Sequence, residues 1–460
     1  MAVGIADVDN SDLEYKTLLS DLEGVLGKSA VTAAAPEPPR RRVAMLVTHG
    51  MGQQVPYETL SAIGQALVTE HTKMRSKAPS PDVNVRRVTL TRADGAPEVS
   101  RAEVCLHDAA GEPVDVHIYE SYWAPLTEGQ ISFLETVQFL YSAAWNGIKA
   151  CLSCGYGKQR GRGFERWMFG GFHLMKIKTW TLLTLLALVA SISLLVLPAF
   201  LMFTPTGWAA LKWVGAHSLT WFLAMSPIMQ GVVIAGVLVL AVVAYWVRYF
   251  IVEFAGDVAI YVSSYKVSRF DAIRNSILKE ANSIARQVYS AGFVDDREQK
   301  YDSVVVVGHS LGSVISYDLL NGSVNWDQVE WASKYRVVDR TTRLITFGSP
   351  LDKTAFLFRT QVSSNRNLRE ALAARQQPLI LDYRQFRPIE TFHWVNIYSP
   401  MDIVSGHLDY YDVPGMPNFN PIENRVDRKA WIPLIAHTQY WDNEELHKAL
   451  YEAVWAHALA

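Results

Sequence analysis

The sequence predicts an α/β domain with a mainly parallel sheet, interrupted by an inserted two-helix transmembrane hairpin. Three observations predict it. Short apolar runs of strand length alternate with longer runs at helical spacing. Four consecutive valines, Val304 to Val307, read as a strand buried on both faces and run into a glycine-rich turn followed by helical sequence. Finally, Thr179 to Phe203 and Met229 to Val247 contain no Asp, Glu, Lys, Arg or His. At about 1.5 Å per helical residue each can cross an apolar bilayer core of about 30 Å. Helices buried in a protein core rarely stay uncharged on every face for so long.

The bulk composition narrows the classes. With 43 basic and 45 acidic residues in 460, the net charge is −2, so no global field steers the chain toward nucleic acid. Half of the residues are hydrophobic and the mean hydropathy is slightly positive, which fits membrane segments. Three cysteines, Cys105, Cys151 and Cys154, exclude a disulfide-dense secreted scaffold and fit a reducing compartment. Cys151 and Cys154 have metal-ligand spacing but no second pair, so neither metal nor cofactor is expected. The first residues show no basic region leading into an apolar core, so no secretory signal peptide is expected.

Along the chain, Ser11 and Glu14 form a capping-box pattern that opens a short helix ending near Lys28. A flexible, proline-bearing linker closes this first region, residues 1–42. Residues 43–157 supply the first half of the α/β domain. It has a strand beginning at Val43, a helix from about Tyr57 to Lys77, strands at 85–91, 103–106 and 114–120, and a helix from Ile131 to Ile148. Residues 158–252 carry a basic flank and the hairpin, with spans of about 179–203 and 229–251. The intervening apolar stretch holds Trp208, Trp213 and Trp221 with Lys212 and His217, and suits an interfacial helix better than a third crossing. An even number of crossings also lets the strands before and after the insertion share one sheet. Six basic residues precede the first span and four follow the second, against one lysine between them. The positive-inside rule then places both flanks, the α/β domain and both termini on the cytoplasmic side of an integral membrane protein. The second half, residues 253–460, reads as a long helix over 256–291, strand 303–307, and a helix from Ser313 to Asn321. Strands 343–347 and 392–398 and a terminal helix from Asp442 complete it.

Gly308-His309-Ser310-Leu311-Gly312, between a buried strand and a helix, has the form of a nucleophile elbow. Its glycines leave room for a tight turn, and the helix N-terminus behind Ser310 favours developing negative charge. On these residues the chain resembles the α/β-hydrolase superfamily, specifically membrane-associated lipase-like serine esterases, over most of residues 43–457 outside the insertion. The resemblance implies that His49-Gly50-Met51-Gly52 after the first strand builds an oxyanion hole. The backbone N–H groups of Met51 and Leu311 would be its donors. It also implies a triad in the order serine, acid, histidine. Asp402, just past the strand ending at Tyr398, is the expected acid, with Asp352 after the preceding strand as runner-up. His437, before the terminal helix, is the expected base, because His407 shares the Asp402 loop and His447 and His457 sit in a helix.

The expected activity is therefore cleavage of carboxylic esters, with acyl lipids as the favoured substrates and the bilayer as partner. Thioester hydrolysis or acyl transfer would use the same residues. A membrane scaffold that keeps the fold without turnover is the second reading. A transporter is disfavoured because neither span carries an intramembrane charge. The sequence leaves homo-oligomerisation open.

Overall fold

The computed structural model describes residues 40–52, 55–76, 79–89, 98–153, 205–236, 238, 255–262, 268–289, 301–329, 335–354, 393–402, 404–408, 422–432 and 435–456. The chain divides into Met1–Arg40 and Arg41–Ala460, and the sheet belongs to the second unit. The expected N-terminal helix, the basic flank and the span at 179–203 lie outside the described residues.

Eight strands form one mixed sheet: β1 (Arg41–Thr48), β2 (Asp82–Thr89), β3 (Glu98–His107), β4 (Pro113–Ser121), β5 (Ser303–His309), β6 (Thr341–Phe347), β7 (His393–Tyr398) and β8 (Ile422–Val426). Their order across the sheet is β2-β3-β4-β1-β5-β6-β7-β8. β1 lies between β4 and β5, parallel to both, and β5 to β8 continue in parallel. Strand β1 starts at Arg41, two residues before the expected point, so the linker is shorter than the sequence suggests.

The described helices are α1 (Glu58–Met74), α2 (Ala124–Thr127), α3 (Phe133–Ser153), α4 (Pro205–Leu223), α5 (Gly256–Val262), α6 (Ser268–Tyr289), α7 (Leu311–Val329), α8 (Val337–Arg340) and α9 (Glu444–Val454). A 3₁₀ turn, Ala436–Asp442, precedes α9.

The period of two along β5 explains why its run Val304–Val307 holds no polar residue. Val304 and Val306 pack with Ile277, Ile284 and Val314 of α6 and α7 on one face. Val305 and Val307 pack with Leu60 and Ile63 of α1 and Leu450 of α9 on the other. At about 1.5–3 kcal/mol for each fully buried aliphatic side chain, this strand anchors both layers.

The sheet is less uniformly parallel than expected. β2, β3 and β4 form an antiparallel meander. The reason is connection length: only residues 108–112 separate β3 from β4, whereas a parallel return needs a crossover of a dozen residues or more. The Asp108 carboxylate accepts the Ala110 and Glu112 N–H groups, and Gly111 supplies the left-handed φ of 87° that closes the turn.

Of the expected long helix over 256–291, Gly256–Val262 and Ser268–Tyr289 are helical, as α5 and α6, and 263–267 and 290–291 lie outside the described residues. Helix α7 runs from Leu311 to Val329, longer at both ends than predicted. Strand β8 was not predicted; only Ile422 in it is fully buried, which leaves no alternation to read. Among the described residues no helix is long and apolar enough to cross a membrane. Of the expected second span only residues 229–236 and 238 are described, and they are helical.

Candidate active site

The parallel half of the sheet brings the C-terminal ends of β1, β5, β6 and β7 to one edge, where the loops carrying His49, Ser310, Gly348 and Asp402 meet. Ser310 leaves β5 with φ of 51°, left-handed backbone that a non-glycine residue adopts only where its surroundings enforce it. Several contacts enforce it here. The Ser310 N–H donates to Phe347 O at 3.0 Å. The Ser313 hydroxyl donates to Gly308 O at 2.8 Å, closing the elbow from below.

The motif glycines are there for proximity. A Cβ on Gly308 would fall 2.5 Å from Ser313 Cα, and one on Gly312 would fall 2.2 Å from Thr48 O and 2.3 Å from His49 O. A Cβ on Gly50 would meet His309 Nδ1 at 2.7 Å and Ser310 Cβ at 3.0 Å. The loop after β1 therefore lies directly against the elbow, with backbone touching backbone.

Ser310, His437 and Asp402 are brought together. His437 Nε2 is 2.7 Å from Ser310 Oγ, and His437 Nδ1 is 2.9 Å from Asp402 Oδ2. All three are buried. An ionised carboxylate only accepts, so Nδ1 carries the proton and Nε2 accepts the serine hydroxyl. Burial alone would raise the affinity of Asp402 for a proton. The bond and charge of His437, the Val404 N–H and the Ser405 hydroxyl outweigh that and hold it well below the usual carboxylate range. With His437 Nδ1 taken by Asp402, the runner-up Asp352 stays outside this chain of bonds.

His437 lies in the 3₁₀ turn rather than in the loop the sequence suggests. At three residues per turn, side chains at i and i+3 eclipse, so Tyr440 points the same way. Its hydroxyl donates to Asp402 Oδ2 at 2.9 Å and accepts the Ser399 N–H at 2.9 Å. The same oxygen that orients His437 is thus held by a second donor from the same turn. Sequence reasoning missed Tyr440, and the only signal was its spacing from His437.

Two further histidines frame the site in neutral form. Burial pushes His49 down to about 4. Its Nε2 accepts the N–H groups of Trp123 (3.0 Å) and Ala124 (3.3 Å), so the proton is on Nδ1, which donates to Gly50 O. Trp123 stacks on its ring at 4.9 Å and donates its indole N–H to His49 O. The Glu120–Trp123 stretch is thus in part an aromatic wall for the His49 loop. His309, pushed down to about 3 first by burial and then by the neighbouring His437, donates from Nε2 to His437 O at 3.3 Å and stacks on Phe347.

Of the two expected oxyanion donors, Leu311 opens α7, where the first amides have no partner within the helix. Met51 is buried in the loop beside Gly50. The next amide, Gly52, is held by Asp257 Oδ2 at 2.8 Å. Other histidines take ordinary places: His407 packs on Tyr398, His393 pairs with Glu423, and His447 bonds Trp441 O.

Among the described residues no group of three or more His, Cys, Asp or Glu is arranged to hold a metal ion. No protein-family model matches the chain, and no curated protein and no solved structure matches it.

Proposed function

We propose that this chain is a membrane-anchored serine hydrolase of α/β-hydrolase type that cleaves carboxylic esters, with acyl lipids as the favoured class. One observation carries the reading: a serine in strained left-handed backbone is bonded to an imidazole whose other nitrogen is bonded to a buried carboxylate. That arrangement matches what acyl transfer requires.

In this mechanism Ser310 Oγ attacks the ester carbonyl while His437 Nε2 takes its proton. Asp402 stabilises the imidazolium that forms. The Met51 and Leu311 amides are the proposed donors to the tetrahedral oxyanion, and losing one such donor typically costs about 3–4 kcal/mol. Collapse breaks the bond to the alcohol, which leaves with the proton from His437. Water, deprotonated by the same imidazole, then releases the acid and restores Ser310. An acyl acceptor other than water would make the same residues an acyltransferase, and a thioester would make them a thioesterase.

Two features support a lipid setting. Trp208, Trp213, Trp221, Leu223, Ile228 and Val232, between the expected spans and into the second, are each more than half exposed. Apolar surface on this scale marks a binding or membrane face. Near the triad residues in sequence, Met401 beside Asp402 and Trp431 and Ile435 ahead of His437 are also exposed. A membrane hairpin with both flanks on the cytoplasmic side remains the arrangement we favour.

Labelling of membranes by a fluorophosphonate probe tests the reading. Labelling should vanish in Ser310→Ala and His437→Ala, weaken in Asp402→Asn, and persist in Asp352→Asn. Equal labelling of native and Ser310→Ala protein would remove Ser310 as nucleophile. Absence of labelling in the native chain would favour a catalytically silent scaffold.

A further inference from the structure

The helix on which the chain returns from the apolar insertion also touches the candidate site. The chain leaves the sheet domain through α3 and re-enters at α5. A Cβ on Gly256 would fall 2.8 Å from the Ile131 side chain, so α5 is seated tightly against the segment leading into α3. The next residue, Asp257, is 8 % exposed and accepts the Gly52 N–H through Oδ2 at 2.8 Å. Gly52 itself has φ of 88°. A peptide in that conformation is set by whatever holds its amide, and here the holder comes from 205 residues further along the chain. One turn on in the same helix, the Tyr261 hydroxyl donates to Asp318 of α7, which also accepts from Arg274 at 2.7 Å. Helix α5 is thus bonded to both halves of the site, the loop after β1 and the helix behind the nucleophile.

We propose that Asp257 is a positioning residue: by holding the Gly52 amide it aims the preceding Met51 amide at the oxyanion. It cannot serve the oxyanion directly, since a carboxylate there would repel the developing charge. Its effect must pass through the backbone of residues 50–52. The inference rests on the serine hydrolase reading. A misplacement of about 1 Å in a donor of this kind lowers turnover by about 10²-fold.

The test compares Asp257→Ala, Asp257→Asn and Tyr261→Phe in the full chain in detergent micelles. Readouts are steady-state hydrolysis of a short-chain p-nitrophenyl ester, the rate of fluorophosphonate labelling, and hydrogen exchange of peptides covering residues 45–56. Asp257→Ala should lower kcat about 30- to 100-fold with KM changed less than about threefold, and should speed exchange in the loop. Asp257→Asn keeps an acceptor for the Gly52 N–H and should stay within about fivefold of native. Tyr261→Phe removes the bond from the same helix to α7 and should lower the melting temperature while lowering kcat far less than Asp257→Ala does. If the alanine variant does not fold, Asp257→Glu takes its place, since the added methylene displaces the acceptor and should lower kcat about tenfold.

Native kcat and native loop exchange in Asp257→Ala would overturn the proposal while leaving the hydrolase reading intact. An equal loss of kcat in Tyr261→Phe would show that α5 acts only through general stability, and would overturn it too. A native protein that neither labels nor hydrolyses would remove the hydrolase reading and this inference with it.

Discussion

Adding one methyl group at Gly312 should disable the site. Ordinary van der Waals contact of a Cβ begins at 3.4 Å, and at Gly312 that atom would fall 2.2 Å from Thr48 O and 2.3 Å from His49 O. Both neighbours are backbone, so no side chain can swing aside. The gap must open from 2.2 Å to 3.4 Å, which pushes α7 and the end of β1 apart by about 1.2 Å. Overpacking of this kind costs about 1–3 kcal/mol of stability. Its larger effect is geometric, because the parted segments carry the two expected oxyanion donors, Leu311 and Met51. A displacement of about 1 Å corresponds to about 10²-fold in rate, or about 2.7 kcal/mol of transition-state stabilisation. Gly322, further along α7, has nothing within 4 Å of its Cβ position, so Gly322→Ala should gain about 0.5–1 kcal/mol with activity unchanged. The assay is kcat/KM on a short-chain ester, with the Ser310→Ala background subtracted, beside urea titration of both variants. A Gly312→Ala protein within threefold of native kcat/KM would refute the claim that these donors depend on this contact.

Two further outcomes follow from buried polar groups. Tyr440→Phe removes a donor from the Asp402 carboxylate and leaves the buried Ser399 N–H without its acceptor, so stability should fall by about 2–3 kcal/mol in urea titration. With one donor fewer, Asp402 Oδ2 orients the His437 ring less firmly, so kcat/KM should fall, and an unchanged kcat/KM would reduce Tyr440 to packing. Glu120 has a buried Oε1 with no hydrogen-bond partner, and burial lifts its carboxyl to about 7, against an ordinary value of 4.5. Its protonated form is favoured in the folded state, so the stability it contributes is present below about pH 4.5 and is lost as pH rises through 7. Glu120→Gln mimics that protonated form. It should match native stability at pH 4 and exceed it at pH 8 by up to about 3 kcal/mol. Equal urea midpoints at pH 8 would show that the carboxyl is better solvated than its burial implies.

What the sequence made legible was whatever depends on neighbours along the chain. The valine run of β5 could be read because both faces of a central strand demand apolar residues, and the elbow because it needs small residues at fixed offsets around Ser310. Connection length was equally legible: the short turn at Asp108 and Gly111 already requires β3 and β4 to run antiparallel, although the sheet was expected to be more uniformly parallel. Strand β8 escaped because Asn424 and Arg425 carry no alternation, and their side chains are held by Asn396 and Glu423. Asp402 and Asp352 each follow a strand, and nothing in one dimension shows which carboxylate meets His437.

The residues that support the candidate site show where such reading ends. Tyr440 was three positions from His437, yet its part depends on that segment forming a 3₁₀ turn; in an extended loop the two side chains would diverge. His49 was noticed for the glycine after it, but what fixes its tautomer is the pair of amides at Trp123 and Ala124, on the far side of a meander. Asp257 sits beyond the longest insertion in the chain and bonds the Gly52 backbone amide, which has no side chain to leave a pattern. In each case the chemistry-bearing atom is found by local rules, whereas the atom that aims it arrives through the tertiary fold. The second group therefore makes the sharper test of the site: Gly312, Tyr440 and Asp257 touch no substrate in the proposed mechanism. If altering them changes turnover in the manner each geometry dictates, the arrangement of Ser310, His437 and Asp402 acts as a catalytic unit and is more than a set of buried polar contacts.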